Sequence, residues 1–140
     1  MKLNSIQAIA AGAVLAVMYV LPAAATETAQ VLYKQCNDKQ TTVEQRECYQ
    51  AAVKQSEAEL VAAEKKARAD LVELEKISEG SKSLNPVKAF DNAERAYLQF
   101  RTAESQRVMT SYGSGNGGDI ASYQTIIEMN IMRTKQLSND

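Results

Sequence analysis

Few side chains in this sequence are equipped for acid–base or nucleophilic work, and what is missing narrows the chemistry most. Histidine is absent. Its absence removes the side chain whose charge changes near neutral pH, and with it Ser-His and Cys-His nucleophiles and the Glu-x-x-His pairs of di-metal helical bundles. No Gly-x-x-x-x-Gly-Lys phosphate loop occurs. Acids are plentiful, so a two-carboxylate hydrolase is formally open. They fall mainly on charged faces of helix-like stretches, where water keeps a carboxylate ordinary. No catalytic residue, metal or cofactor is expected, and the protein reads as a non-enzyme.

Three groups of residues could still do something specific. Cys36 and Cys48 are the only cysteines; in an oxidising compartment such a pair reads as one disulfide, the alternatives being two free thiols or a metal pair. Arg101 and Glu104 stand three apart and could bridge along a helix. If partly buried they need a further partner, for which Arg133 is the candidate, and the result would be an ion network locking two helices. The other reading has Arg101 or Arg133 touching a partner protein. Finally, Tyr112, Ser114 and Asn116 stand in or beside a stretch, Gly113 to Gly118, that holds four glycines. That stretch must be a loop, and the most flexible part of the chain.

The elements that must position these groups are helices. The chain opens Met1-Lys2, continues with an uncharged apolar run from about Ile6 to Leu21, and reaches Pro22 and Ala23-Ala24-Ala25. That is the layout of a secretory signal peptide cleaved after Ala25, and the run is short for a membrane span. Residues 26–140 then form a single domain, periplasmic or secreted, with no membrane span after cleavage. Loss of residues 1–25 removes Lys2 and no acid, leaving 15 of the 16 Lys plus Arg against 17 Asp plus Glu and a net charge of −2. No basic surface for nucleic acid follows from that balance.

Within the domain, Thr26 to about Asn37 is a short helical segment. Thr41 and Glu44 fit a capping box that opens a long helix from Val43 to about Ser78. Val53, Leu60, Ala67 and Leu74 recur every seven residues along it, with Ala63 and Ile77 beside them, while Lys54, Glu57, Glu59, Glu64, Lys65, Lys66, Arg68 and Glu73 lie on solvated faces. Residues 79–83 read as a linker. Asn85-Pro86 opens a second helix, with Asn85 as its cap, that runs to about Ser111. Its apolar face is Phe90, Ala93, Tyr97, Phe100, Val108 and Tyr112. A last helix follows from about Asp119 to Leu137, with Ile120, Tyr123, Ile127, Ile131 and Met132 giving it an apolar side. The fold is therefore all-α: a long helix plus two shorter antiparallel helices, a short N-terminal helical segment and one disulfide.

Laid end to end, these features resemble the lysozyme inhibitor LprI-like family of secreted bacterial domains. Cys36, Thr41, Glu44 and Cys48 match its opening. Ala93-Glu94-Arg95-Ala96-Tyr97-Leu98-Gln99-Phe100-Arg101 with Glu104 matches its middle, Gly117-Gly118-Asp119 its loop, and Thr125 to Leu137 with Arg133-Thr134 its close. The family pattern has cysteines where this chain has Ser105 and Thr125. Their joint loss implies that they form a second bridge in relatives. Tyr97 replaces a Trp and Asn130 a Thr. The resemblance implies a protein partner, a peptidoglycan-cleaving lysozyme; a cleft lined by two acidic groups calls for a flexible or hydrogen-bonding tip, for which the loop with Tyr112, Ser114 and Asn116 is the candidate. A non-enzymatic helical interaction or scaffold protein of the cell envelope, self-associating through the long charged helix, is the alternative.

Protein recovered from the periplasm is expected to start at Thr26 and to take up an alkylating reagent only after reduction. Two thiols reactive without reductant, found by intact mass, would remove the bridge.

Overall fold

The structure, a computed structural model, describes residues 27–139; the signal peptide read over residues 1–25 lies outside the described residues. Five helices appear in chain order: α1 (Ala29–Asn37), α2 (Thr42–Ile77), α3 (Glu79–Ser83), α4 (Pro86–Ser111) and α5 (Gly118–Asn139). No strand occurs among the described residues. None of these helices is long and apolar enough to cross a membrane.

Local chemistry explains most boundaries. Thr28 caps α1 by accepting from the Val31 amide at 3.4 Å. Thr41 and Glu44 form the expected capping box at the head of α2, each side chain satisfying a backbone N–H that the helix leaves free. Ser78 ends α2 in extended backbone and accepts from the Ser81 amide at 3.0 Å. Residues 79–83, expected to be a linker, therefore form a one-turn helix. Asn85 is also a correction. It sits left-handed at φ 52° and makes no side-chain cap, its amide nitrogen donating back to the Ser83 carbonyl. Pro86 fixes the start of α4, because its ring presets φ and its missing N–H is one the first turn does not need, and the Glu75 carboxylate on α2 accepts from the next amide, Val87, at 3.2 Å.

α2 and α5 run parallel, with α4 antiparallel to both. Arg46 meets Asp119 near their starts, Asn130 meets Ser56 midway, and Arg68 meets Asp91 toward the α2 C-terminus. α5 packs extensively on both neighbours, whereas α2 and α4 touch sparingly and leave a crevice lined by Val61, Phe90 and Leu98. α1 lies against α2 and α5. Cys36–Cys48 joins it covalently to α2, and closing a loop of this size contributes about 3 kcal/mol on the chain-entropy account. Around that bridge sits the main apolar cluster: Tyr49, Ala52, Ile120 and Ile127, with Leu32 and Tyr33 against it. Tyr49 is fixed at its polar end as well, donating to Asn37 and accepting from Gln124 at 2.9 Å.

Burial corrects two expected apolar faces. On α2, Leu60 is buried but Leu74 and Ile77 are exposed. On α4 the inward stripe is Phe90, Glu94, Tyr97, Arg101, Ser105 and Val108, whereas Ala93, Phe100 and Tyr112 face outward. Phe90, Tyr97 and Val108 point inward as expected, but Glu94 and Arg101 stand inward in place of Ala93 and Phe100, so the centre of the stripe is polar.

The α4–α5 register sets Tyr97 against Arg133. Eight residues onward along α4 and eight back along α5 bring Ser105 opposite Thr125. A Ser105→Cys/Thr125→Cys variant is expected to form a second disulfide on air oxidation and to gain about 3 kcal/mol in urea unfolding. Two further alkylatable thiols in the folded variant would contradict this register.

Candidate functional site

Two groups of side chains stand out from the helical frame. The first is a buried polar junction where α2, α4 and α5 meet. Asn130 is 0% exposed, and its position between Ile127 and Ile131 on an inward face forces its amide to find partners inside the protein. Its Nδ2 donates to Ser56 Oγ at 3.0 Å. Its Oδ1 accepts from Arg101 Nη1 at 2.7 Å and from the Tyr97 hydroxyl at 3.4 Å. Ser56 in turn donates to the Val53 carbonyl at 2.8 Å. Arg101 reaches onward to Glu57, 3.6 Å away on α2.

One turn from Asn130 along α5, Arg133 takes the carboxylate of Glu94 with two of its nitrogens, and its guanidinium lies over the Tyr97 ring at 5.8 Å. Glu94 is only 7% exposed, so a bidentate arginine is the partner its charge requires. Glu64 approaches the same carboxylate from α2. Burial, and then the neighbouring Glu94, push the Glu64 carboxyl above the ordinary range, while Arg101 and Arg133 pull the other way. Tyr97 is pushed up by burial against the pull of both arginines.

Sequence reasoning placed Arg101 and Arg133 in an ion network, and both lie in this junction. Glu104 does not join them. It pairs with Arg107 through two hydrogen bonds of 2.8 and 2.6 Å, and Arg107 holds its carboxylate below the usual range. Asn130 draws Arg101 inward, away from Glu104. The acids that serve the arginines are Glu57 and Glu94, with Glu64 at the edge. Glu64 was expected on a solvated face, and it is half-buried. Asn130 could have been found from its place in an apolar stripe. Glu94 and Glu64 carry no such signal, because their burial depends on partners distant in sequence.

The second group is the α4–α5 connection. Tyr112 caps α4, and the loop folds on itself through Gly113 N to Thr110 O at 3.1 Å and Gly115 N to Tyr112 O at 3.0 Å. A side chain on Gly118 would meet the Met109 carbonyl at 2.7 Å, so only glycine lets α5 start this close to α4. The stretch expected to be a loop is a hydrogen-bonded turn between α4 and α5. Tyr112, Ser114 and Asn116 are all exposed on it. Beside the turn, Arg46 pairs with Asp119 and depresses its carboxyl pKa. The α1–α2 turn at residues 38–41 lies at this same end of the bundle, because α2 and α5 both start there. The junction and the loop are separate: the arginines face inward at mid-bundle, while the loop residues face out at one end.

No metal-holding group of His, Cys, Asp and Glu occurs among the described residues. No curated protein and no solved structure matches the chain. Residues 34–137 match the family described as lysozyme inhibitor LprI. The match runs from the last turn of α1 through the disulfide, the polar junction and the glycine loop to Leu137, a buried residue near the end of α5. On that coverage, the chain belongs to the LprI lysozyme inhibitor family.

Proposed function

We propose that this protein is an exported inhibitor of lysozyme-type muramidases, acting outside the cytoplasm by recognition rather than by bond-breaking. The family match over residues 34–137 carries the reading. The apolar leader ending at Ala25 supports export, with residues 26–140 as the working domain. The absence of histidine supports a binding role over a catalytic one. The partner is a protein, and no cofactor is needed.

The loop end of the bundle is the inhibitory surface in this account. A muramidase cleft is lined by two carboxyl groups, so an inserted segment must bring hydrogen bonds without bringing acids. The exposed stretch Tyr112-Gly113-Ser114-Gly115-Asn116 contains no carboxylate. Tyr112 offers an aromatic face with a hydroxyl, Ser114 and Asn116 offer donors and acceptors, and the glycines let the backbone approach a wall closely. The turn bonds described above hold this shape before binding, which lowers the ordering entropy that association must overcome.

Mature protein added to a panel of lysozymes acting on cell walls should slow lysis. A Tyr112→Ala/Asn116→Ala variant should need about tenfold more protein for the same effect, the loss of one good contact of roughly 1.4 kcal/mol. Undiminished lysis at large molar excess of the unaltered protein contradicts the inhibitor reading. Full potency in the loop variant moves the surface elsewhere.

A further inference from the structure

The Glu64–Glu94 contact does something that neither the lysozyme reading nor the architecture of the bundle requires. Oε1 of Glu64 is buried and has no hydrogen-bond donor among the described residues. A buried acceptor left in this state is rare and destabilising. Across the α2–α4 contact the Glu64 carboxyl meets a second carboxyl, Glu94, whose two oxygens are already engaged by Arg133. Two carboxylates offer each other only acceptors. A proton on Glu64 turns that repulsive contact into an O–H···O⁻ hydrogen bond, among the stronger kinds in proteins, and leaves Glu94 ionised for its arginine.

The surroundings fit one proton and not two. From α4, Glu94, Tyr97 and Arg101 face Glu64, with Asp91 and Arg95 at the mouth of the crevice; from α5 comes Arg133; Lys65 and Arg68 flank it on α2. Arg133 bonds Glu94 and Gln136, and Arg101 reaches Asn130 and Glu57. Neither arginine supplies the missing donor to Glu64 Oε1.

We propose that Glu64 and Glu94 hold one proton between them in the folded protein, so that the contact between α2 and α4 tightens as the surroundings acidify. The Glu64 carboxyl already stands above its usual range from burial and from Glu94, and the sign follows from that direction. A group that binds a proton more tightly when folded contributes stability that is complete below its unfolded pKa and is lost as pH rises through the folded one. Ionised Glu64 is therefore a weak point of the crevice, and protonated Glu64 a clasp. This is opposite to Asp91, Glu104 and Asp119, whose depressed values make their pairs fail on acidification.

The test is urea unfolding of the unaltered protein and of Glu64→Gln from about pH 3.5 to about pH 8, a range that starts below the unfolded glutamate midpoint, with Glu94→Gln alongside. The amide introduced by Glu64→Gln is a permanent donor of the same shape as the protonated acid. The folded-to-unfolded ratio of the unaltered protein should fall relative to Glu64→Gln as pH rises, by tenfold for each unit between the folded and unfolded midpoints. Glu94→Gln should be weaker than the unaltered protein at every pH, since it removes the carboxylate that Arg133 holds with two nitrogens. A carbon-13 carboxyl titration of Glu64 in the unaltered protein should give a midpoint above that of an exposed glutamate. Parallel stability curves for the unaltered protein and Glu64→Gln, or an ordinary Glu64 midpoint, would overturn the proposal.

Discussion

Asn130 is the constraint around which the described bundle is arranged. A fully buried amide can be tolerated only where its donor and acceptor sides are both met, and here they are met by different helices: Ser56 on α2, and Arg101 with Tyr97 on α4. Sliding α2 by one turn would part the amide nitrogen from Ser56, and sliding α4 would part the amide oxygen from Arg101 and Tyr97. Each orphan costs about 1–3 kcal/mol, more for the charged one. An apolar contact at the same place would tolerate such a slip far better. The polar junction thus contributes less to gross stability than to choosing one register, a role that buried polar groups serve in helical assemblies.

Stability in the ordinary sense comes from the neighbouring layer. Tyr49, Ala52, Leu60 and Ile127 are essentially unexposed, and α1 is held over part of this layer by Cys36–Cys48. Such a core is small, without tryptophan, which explains why a covalent staple is useful in a domain of this length. Because the staple and the apolar cluster lie toward the start of α2, the glycine loop is mounted on the firmer end of the bundle. The opposite end is looser in composition: Ile77 and Leu84 are each more than three-quarters exposed. A rigid base beneath a small, acid-free loop is the arrangement an inhibitor of an acidic cleft would use.

How much of this could be read from residues alone varied with the range of the interaction. Capping by Thr41 and Glu44, the start at Pro86 and the loop at Gly113 to Gly118 are local, and their helix boundaries follow within a few residues. The pairing of Cys36 with Cys48 follows from there being no other choice of bridge. Asn85 looked like a cap and is not one, because its left-handed backbone turns the side chain away from the free amides of α4. Phe100 looked inward for the reason most aromatics do. The inward side of α4 is instead set by Glu94 and Arg101, whose partners lie on other helices. Burial of a charge is decided by the residue that neutralises it, and Arg133 stands 39 residues from Glu94. Hydrophobic periodicity carries no record of such a pairing, so it missed the junction that matters most.

If Asn130 couples α4 to α2 energetically, and does not merely fill space, the coupling can be measured. A double-mutant cycle combining Asn130→Ala with Arg101→Met, read by urea unfolding, measures it directly. The account predicts single losses of at least about 2 kcal/mol each and a coupling on the order of 1–3 kcal/mol. Strictly additive losses, or an Asn130→Ala protein within about 0.5 kcal/mol of the unaltered one, would contradict it.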